Sequence, residues 1–170
     1  MGSTIRIRPA IAADCDAINA IYNYYVDTSP ATFDTKHVSA ERRREWFEER
    51  MALALPVLVA ERDGSDGISG WCALGRWSPK TAYDTTREES IYIADAQRGQ
   101  GIGKALLTAI LERARQGDIH VVMAGVVGCQ EASLTLHKSL GFVQSGVNRH
   151  MGYKLGEWHD VVSMQRELWR

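Results

Sequence analysis

Apolar positions recur with a period of two in some stretches of the chain and with a helical period in others, and the two kinds of stretch interleave. Thr4 to Arg8 alternates as a short strand that Pro9 ends. Ile18, Ile21, Tyr22 and Tyr25 fall on one face of a helix for which Asp14 is the expected cap. Beyond a polar stretch containing Pro30, Ser39 is placed to cap a second helix carrying Trp46, Phe47 and Met51. PVLVAE and GISGWCALGRW, separated by Arg62-Asp63-Gly64-Ser65-Asp66, read as a hairpin. ESIYIA predicts a fourth strand, and Ile102, Leu106, Ile110 and Ala114 make the buried stripe of the helix that follows. HVVMAGVV is apolar on both faces, as a strand covered by helices on each side must be. A short helix from about Gln130 ends at Leu140-Gly141-Phe142, with Gly141 where helices commonly turn left-handed, and MQRELW closes the chain as a last strand. With no repeat, linker or low-complexity segment, the expectation is a mixed α/β fold in a single domain over residues 1–170.

Composition narrows the function. The 170 residues are 45% hydrophobic, enough to bury a core. A net charge of -1, from 20 basic and 21 acidic residues, argues against a nucleic-acid surface, which depends on clustered positive charge. The longest basic run, Arg42-Arg43-Arg44, sits among Glu41, Glu45, Glu48 and Glu49 and reads as a solvated helix face. Cys15, Cys72 and Cys129 are odd in number and lack C-x-x-C spacing, which suits a reducing cytoplasm and gives no metal site. No apolar run approaches membrane-spanning length, and the N-terminus lacks a signal peptide's apolar stretch, so a cytoplasmic protein without a membrane partner is expected.

The chemistry concentrates in DAQRGQGIGKALL, where Gly99, Gly101 and Gly103 precede a helix. A dinucleotide fingerprint fails because its third glycine arrives one place early, and a Walker loop fails because Arg98 and Ala105 replace the first glycine and the hydroxyl. What remains is a bare backbone feeding the positive end of a helix, which favours an anion such as a phosphate. A tight strand-to-helix turn without a ligand reads equally well from these residues alone.

RGQGIGKALL resembles the R-x-x-G-x-G/A coenzyme loop of the GNAT superfamily of N-acetyltransferases, and SLTLHKSLGF resembles the helix-turn-strand segment that follows it there. Within the superfamily the chain is more similar to the phosphinothricin and methionine sulfoximine acetyltransferases, through IYNYYV, ATFDT, PVLVAE, GRWSP, REESIYI, ASLTLHKSLGF and GYKLGEWHDVVSMQ in that order. The resemblance implies a mixed central sheet of about six or seven strands flanked by helices and splayed between strands 4 and 5, a GNAT fold of the α/β (α+β) class. It implies acetyl-CoA as co-substrate and no metal. Backbone N–H groups of Arg98, Gly99, Gln100, Gly101, Ile102, Gly103 and Lys104 would hold the pyrophosphate. Backbone groups of Ile91, Tyr92 and Ile93 would meet the pantetheine arm, with Tyr92 or Ile93 donating to the oxyanion. Glu88 takes the place of the base that removes a proton from the amine. His137 stands where relatives carry an acid for the departing thiolate, and Tyr92 is the alternative. Phe33, Trp77, Ser78, Glu88, Glu89 and Ser90 are the acceptor-pocket candidates, although only one of the two adjacent glutamates can face the cleft.

Two positions depart from the pattern. Gln130 stands where the family usually has asparagine, adding a methylene to an amide expected to bond the pantetheine arm. Trp77-Ser78 replaces a frequent Trp-Arg, removing a bidentate grip on a substrate anion that Arg76, Lys80 or Arg87 could replace. The implied reaction is acetyl transfer from acetyl-CoA to the amine of a small amino-acid-like acceptor of the phosphinothricin or methionine sulfoximine/sulfone type. The alternatives are a protein N-terminal or lysine acetyltransferase and a non-catalytic acyl-CoA-binding module. Relatives are commonly homodimers, so a homodimer is expected; GYKLGEWHD is either a dimer or lid segment or a hairpin between the last strands.

Overall fold

The structure, a computed structural model, describes residues 4–65 and 67–168. In chain order its elements are β1 (Ile5–Pro9), α1 (Cys15–Thr28), α2 (Ala40–Ala52), β2 (Val57–Arg62), β3 (Ile68–Arg76), β4 (Thr86–Ile93), α3 (Ile102–Gln116), β5 (Val121–Val127), α4 (Glu131–Ser139), β6 (Val143–Lys154) and β7 (Glu157–Glu167). The strands form one sheet in the order β1-β2-β3-β4-β5-β7-β6. Neighbours are antiparallel except β4 and β5, whose parallel pairing needs the crossover that α3 supplies.

Each face of the sheet has its own core. On one, the α3 stripe of Ile102, Leu106, Ile110 and Ala114 is buried against Leu58, Cys72, Leu74, Val122 and Met164, as the spacing predicts. On the other, Ile18 of α1 and Phe47 of α2 pack against Val57, Val59 and Trp71. Strand alternation divides β4 between them: Ile91 and Ile93 join the α3 core, and Tyr92 joins the α1/α2 core.

The parallel pairing is short. Thr86 pairs with Val121, Arg87 with Val122 and Glu88 with Met123, and there it stops. β4 runs on to Ile93, and β5 continues with β7 as its partner through Val127. The two strands therefore separate beyond Glu88, between strands 4 and 5.

Several local expectations change. Asp14 is the N-cap residue of α1, as expected, but its side chain makes no capping bond: it ends a 3-10 turn, where its carboxylate takes both terminal nitrogens of Arg8 at 2.7 and 2.9 Å and the Ile11 N–H at 2.8 Å. The arginine fork and the upstream Ile11 N–H together occupy the oxygens that would otherwise cap α1. Ser39 does cap α2, accepting from the Arg42 N–H at 3.1 Å. Met51 is carried by α2 but exposed, and Arg43 is buried rather than solvated. The last strand begins at Glu157, not near Met164, and it pairs with β6, a long strand absent from the pattern because nearly all its residues are exposed.

Candidate active site

Glu88 is the last residue of β4 paired to β5, so its carboxylate stands where the gap opens. Across the gap Gly125 is bare, and a Cβ there would come 3.9 Å from the Glu88 Oε1, so the glycine leaves the carboxylate room. Although the residue is reached by solvent, surrounding protein raises its carboxyl pKa above the usual 4.5; burial is the main cause and the negative Glu89 the second. A carboxyl poised nearer neutrality is a better proton acceptor for an ammonium than an ordinary one.

Glu89 points the other way. It is 7% exposed, and its Oε1 lies 2.8 Å from Nε2 of His137, which is 1% exposed. The His137 Nδ1–H donates to the Ser133 carbonyl at 2.7 Å. Burial is the largest influence on the ring and favours the neutral form, but the Glu89 hydrogen bond and charge outweigh it and raise the imidazole pKa above 6.5. Both ring nitrogens are engaged, so His137 offers no free N–H to a departing thiolate and serves as a buried ion-pair partner tying α4 to β4. Glu89 accordingly leaves the acceptor-pocket candidates. Tyr92, the other expected acid, has its ring 5.0 to 5.2 Å from those of Tyr22, Tyr25 and Trp71, and burial holds its phenol far above the ordinary range. Its hydroxyl donates to the Ala31 carbonyl at 3.3 Å.

The glycine turn forms a cradle. Gly99 and Gly101 adopt φ of 72° and 82°, and Gly101 is the N-cap of the fifteen-residue α3. A Cβ at either would meet no protein atom within 4 Å, so the space is open to a ligand. Gly103 differs: a Cβ there would come 3.1 Å from Leu136, so its bareness serves the packing of α3 on α4. Arg98 braces the turn, its Nε donating to the Tyr25 hydroxyl at 3.2 Å and its Nη1 pairing with Asp95 at 3.2 Å. The Tyr25 hydroxyl in turn donates to the Ile93 carbonyl at 2.6 Å, joining the turn to the end of β4. The sequence showed Tyr25 only as an apolar stripe residue. Gln100 donates to the Ala96 carbonyl at 3.3 Å, Lys104 is exposed beside the Ile102 start of the helix, and Gln130 is the N-cap of α4 without a side-chain capping bond. These groups suit the phosphates and amide arm of a coenzyme.

On the opposite face of β4, Ser90 and Tyr92 line a cleft of about 250 Å³ with Tyr22, Asp34, Val38, Arg42, Arg43, Trp46 and Trp71. Ser90 lies two residues from Glu88 and so shares its face of the strand. A cavity of about 400 Å³ near the ends of α2 and α3 is larger, but it contains no residue of β4 and only Arg113 as a charged group, so the chemistry belongs to the smaller cleft. Phe33, Trp77 and Ser78 lie outside that cleft's lining. Phe33 stacks on His159 at 6.3 Å and sits against Gly152, where a Cβ would come within 2.7 Å of its ring. Trp77 is 41% exposed, and the Ser78 Oγ accepts from the Lys80 N–H at 3.3 Å. Arg76 and Lys80 are exposed, and Arg87 falls with Glu89 on the α3 side of β4 and donates to the Thr86 carbonyl at 3.0 Å. None of these three lines the cleft.

A model of the acetyltransferase (GNAT) domain matches residues 7–163. The chain belongs to the GNAT acetyltransferases. It is 37% identical over 162 residues, covering 95% of this chain and 94% of the relative, to the L-methionine sulfoximine/L-methionine sulfone acetyltransferase of Salmonella typhimurium. It is 39% identical over 156 residues, 91% of this chain and 78% of the relative, to the phosphinothricin N-acetyltransferase of Alcaligenes faecalis. The crystal structure of a GNAT superfamily phosphinothricin acetyltransferase from Sinorhizobium meliloti in complex with acetyl-CoA superposes with a TM-score of 0.93 at 33% identity, covering 99% of this chain and 89% of that one. The open space at Gly99 and Gly101, above the N-terminus of α3 and beside the splay of β4 and β5, fits such a ligand in this GNAT acetyltransferase.

Proposed function

We propose that this protein transfers an acetyl group from acetyl-CoA to the amine of a small amino-acid-like acceptor, working in the cytoplasm as a homodimer. The observation that carries the reading is Glu88: a carboxyl with a raised pKa at the opening of the β4–β5 gap, on the face of the strand that also borders an amino-acid-sized cleft. The α3 N-terminus and the Gly99–Gly101 backbone bind the coenzyme's phosphates, and the Gln130 amide and the β4 backbone from Ile91 to Ile93 align its arm. Glu88, directly or through water, removes the proton that blocks the acceptor's lone pair. A backbone N–H of β4 near Tyr92 stabilises the oxyanion that forms as the amine attacks the thioester carbonyl, and the thiolate, a fair leaving group, departs. The names of the two curated relatives support an acceptor of the methionine sulfone, methionine sulfoximine or phosphinothricin type.

The test is thiol release from acetyl-CoA with the purified protein and a panel of methionine sulfone, methionine sulfoximine, phosphinothricin, free L-amino acids and peptides. Turnover with the free amino acids is expected. Release with peptides alone would establish a protein acetyltransferase instead, and none with any acceptor would leave an acyl-CoA-binding module.

A further inference from the structure

Three consecutive arginines on α2 have different fates. Arg42 and Arg44 are exposed and pair with Glu45 and Asp16 at 2.9 and 3.1 Å. Arg43 is 3% exposed and, among the described residues, has no carboxylate within ion-pair distance. Its guanidinium stacks over the rings of Tyr22, Trp46 and Trp71 at 4.7, 4.6 and 5.6 Å, and its Nε donates to Asn19 Oδ1 at 3.2 Å. The terminal Nη groups have no hydrogen-bond partner among the described residues, and Arg43 lines the cleft beside Ser90.

Seven residues along, on the same helix face, Arg50 repeats the pattern. It too stacks over the ring of Trp46, at 4.0 Å, and its Nη2 lies 3.2 Å from where a Cβ would stand on Gly75, the cross-strand neighbour of Glu88. Its Nε is buried without a partner, and burial together with the charge of Arg43 lowers its pKa to about 10. Arg43 is buried and Arg50 half-buried, and cations of like sign drawn out of water with no carboxylate at ion-pair distance among the described residues are costly to the fold. Asp34, the acid in the cleft, accepts instead from the Tyr22 hydroxyl at 2.7 Å. A guanidinium held by three rings and its Nε bond, lining a cleft with its terminal nitrogens unbonded, is preorganised for bidentate recognition of an oxyanion.

We infer that Arg43, with Arg50 supplying a second positive charge, receives the oxyanion of the acceptor and so replaces the arginine that Ser78 lacks. This rests on the reading of the chain as a small-amine acetyltransferase. The ligand group is the α-carboxylate of an amino acid or a side-chain phosphinate, both of which present paired oxygens to the fork.

Three acceptors distinguish the sources: methionine sulfone, the same amine without its carboxylate, and phosphinothricin. For the wild type, kcat/KM for methionine sulfone should exceed that for the carboxylate-free amine by about tenfold or more. In Arg43→Met that preference should collapse by a similar factor through KM for the acceptor, with KM for acetyl-CoA unmoved; Arg43→Lys, a point charge without a fork, should fall between. A loss confined to phosphinothricin assigns the phosphinate. Arg44→Met is the control and should keep the wild-type preference. Should Arg43→Met not fold, Arg43→Lys and titration of tryptophan fluorescence with methionine sulfone carry the test, because Trp46 and Trp71 touch the guanidinium. An unchanged preference in a folded Arg43 variant, or equal losses with and without the carboxylate, overturns the inference while leaving the acetyltransferase intact. Failure of the wild type on all three acceptors overturns the small-acceptor reading itself.

Discussion

Glu88 and Glu89 are chemically identical neighbours with opposite surroundings, and the alternation of a strand is the whole cause. Glu89 is held by His137 in the protein's interior, while Glu88 stands at the gap with no ion-pair partner among the described residues. Removing the charge from Glu88 by Glu88→Gln keeps its shape and should lower kcat by about a hundredfold or more, with KM for acetyl-CoA nearly unchanged. The wild-type rate should rise with pH through a carboxyl pKa displaced upward from 4.5, and the variant should recover at high pH, where the acceptor amine arrives already deprotonated. The same displacement fixes a stability sign. A carboxyl whose folded pKa is raised contributes stability below its unfolded pKa and loses it as pH rises through the folded value, so at pH 7 the ionised Glu88 is a burden. Thermal melting of Glu88→Gln at pH 7 should therefore show a midpoint no lower than wild type; a clear drop would mean a structural role for the carboxylate.

Among the elements, the α3 cradle and the β6–β7 hairpin give separable tests. Gly101 holds φ of 82° with nothing within 4 Å of a would-be Cβ, so Gly101→Val adds left-handed strain of ~1–2 kcal/mol but no clash with protein. Its side chain enters the open space, and KM for acetyl-CoA should rise by about tenfold or more while the acceptor's KM barely moves. Unchanged coenzyme binding in the folded variant would rule out the cradle. Lys154, near the hairpin tip, is 5% exposed and donates to the carbonyls of Tyr25, Ser29 and Thr32 at 3.2, 2.8 and 2.8 Å. It thereby fastens β6 to the end of α1 and to the segment that carries Phe33 and Asp34. Burial lowers its pKa from 10.5, and the carbonyls take the place of the lost water. Lys154→Met strands those carbonyls and should cost about 2 kcal/mol or more in chemical denaturation, with a raised acceptor KM because Asp34 borders the cleft. A stability loss without any KM change would separate the hairpin from the site.

For the molecule as a whole, β6 is an edge strand of twelve residues, and unprotected edges of that length invite pairing or covering. Val143, Val147, Met151 and Tyr153 on it, with Leu155 in the turn and Trp158 on β7, are 45% to 63% exposed. A second copy of this chain is the proposed cover, consistent with a strip too apolar to be left to water. Sedimentation should give a dimer for the wild type and shift toward monomer when Met151→Asp and Trp158→Ser are combined. A monomeric wild type would remove the dimer from the proposal.

Helical and strand periodicity alone located the α3 stripe, the hairpin of β2 and β3, the strand through Glu88 and the bare turn before α3, because each depends on neighbours within a few residues. The order of family-like segments added the acetyl-transfer chemistry. Periodicity also held a signal for Arg43 that charge obscured: Arg43, Trp46, Phe47 and Arg50 share one helical stripe, so a solvated reading of the arginine run could have been doubted. Other features had no local trace. β6 is mostly exposed and carries no buried alternation, and its existence follows from pairing with β7. The three carbonyls that receive Lys154 lie 122 to 129 residues away in the chain, and the Glu89–His137 bond spans 48. Burial of Arg43 likewise depends on rings from α1 and β3 that close over it only when both layers pack on the sheet. Tertiary packing thus decided which glutamate is tied down by a histidine, which arginine lines the cleft and where the histidine's nitrogens point, since these depend on contacts between residues that the chain itself keeps far apart.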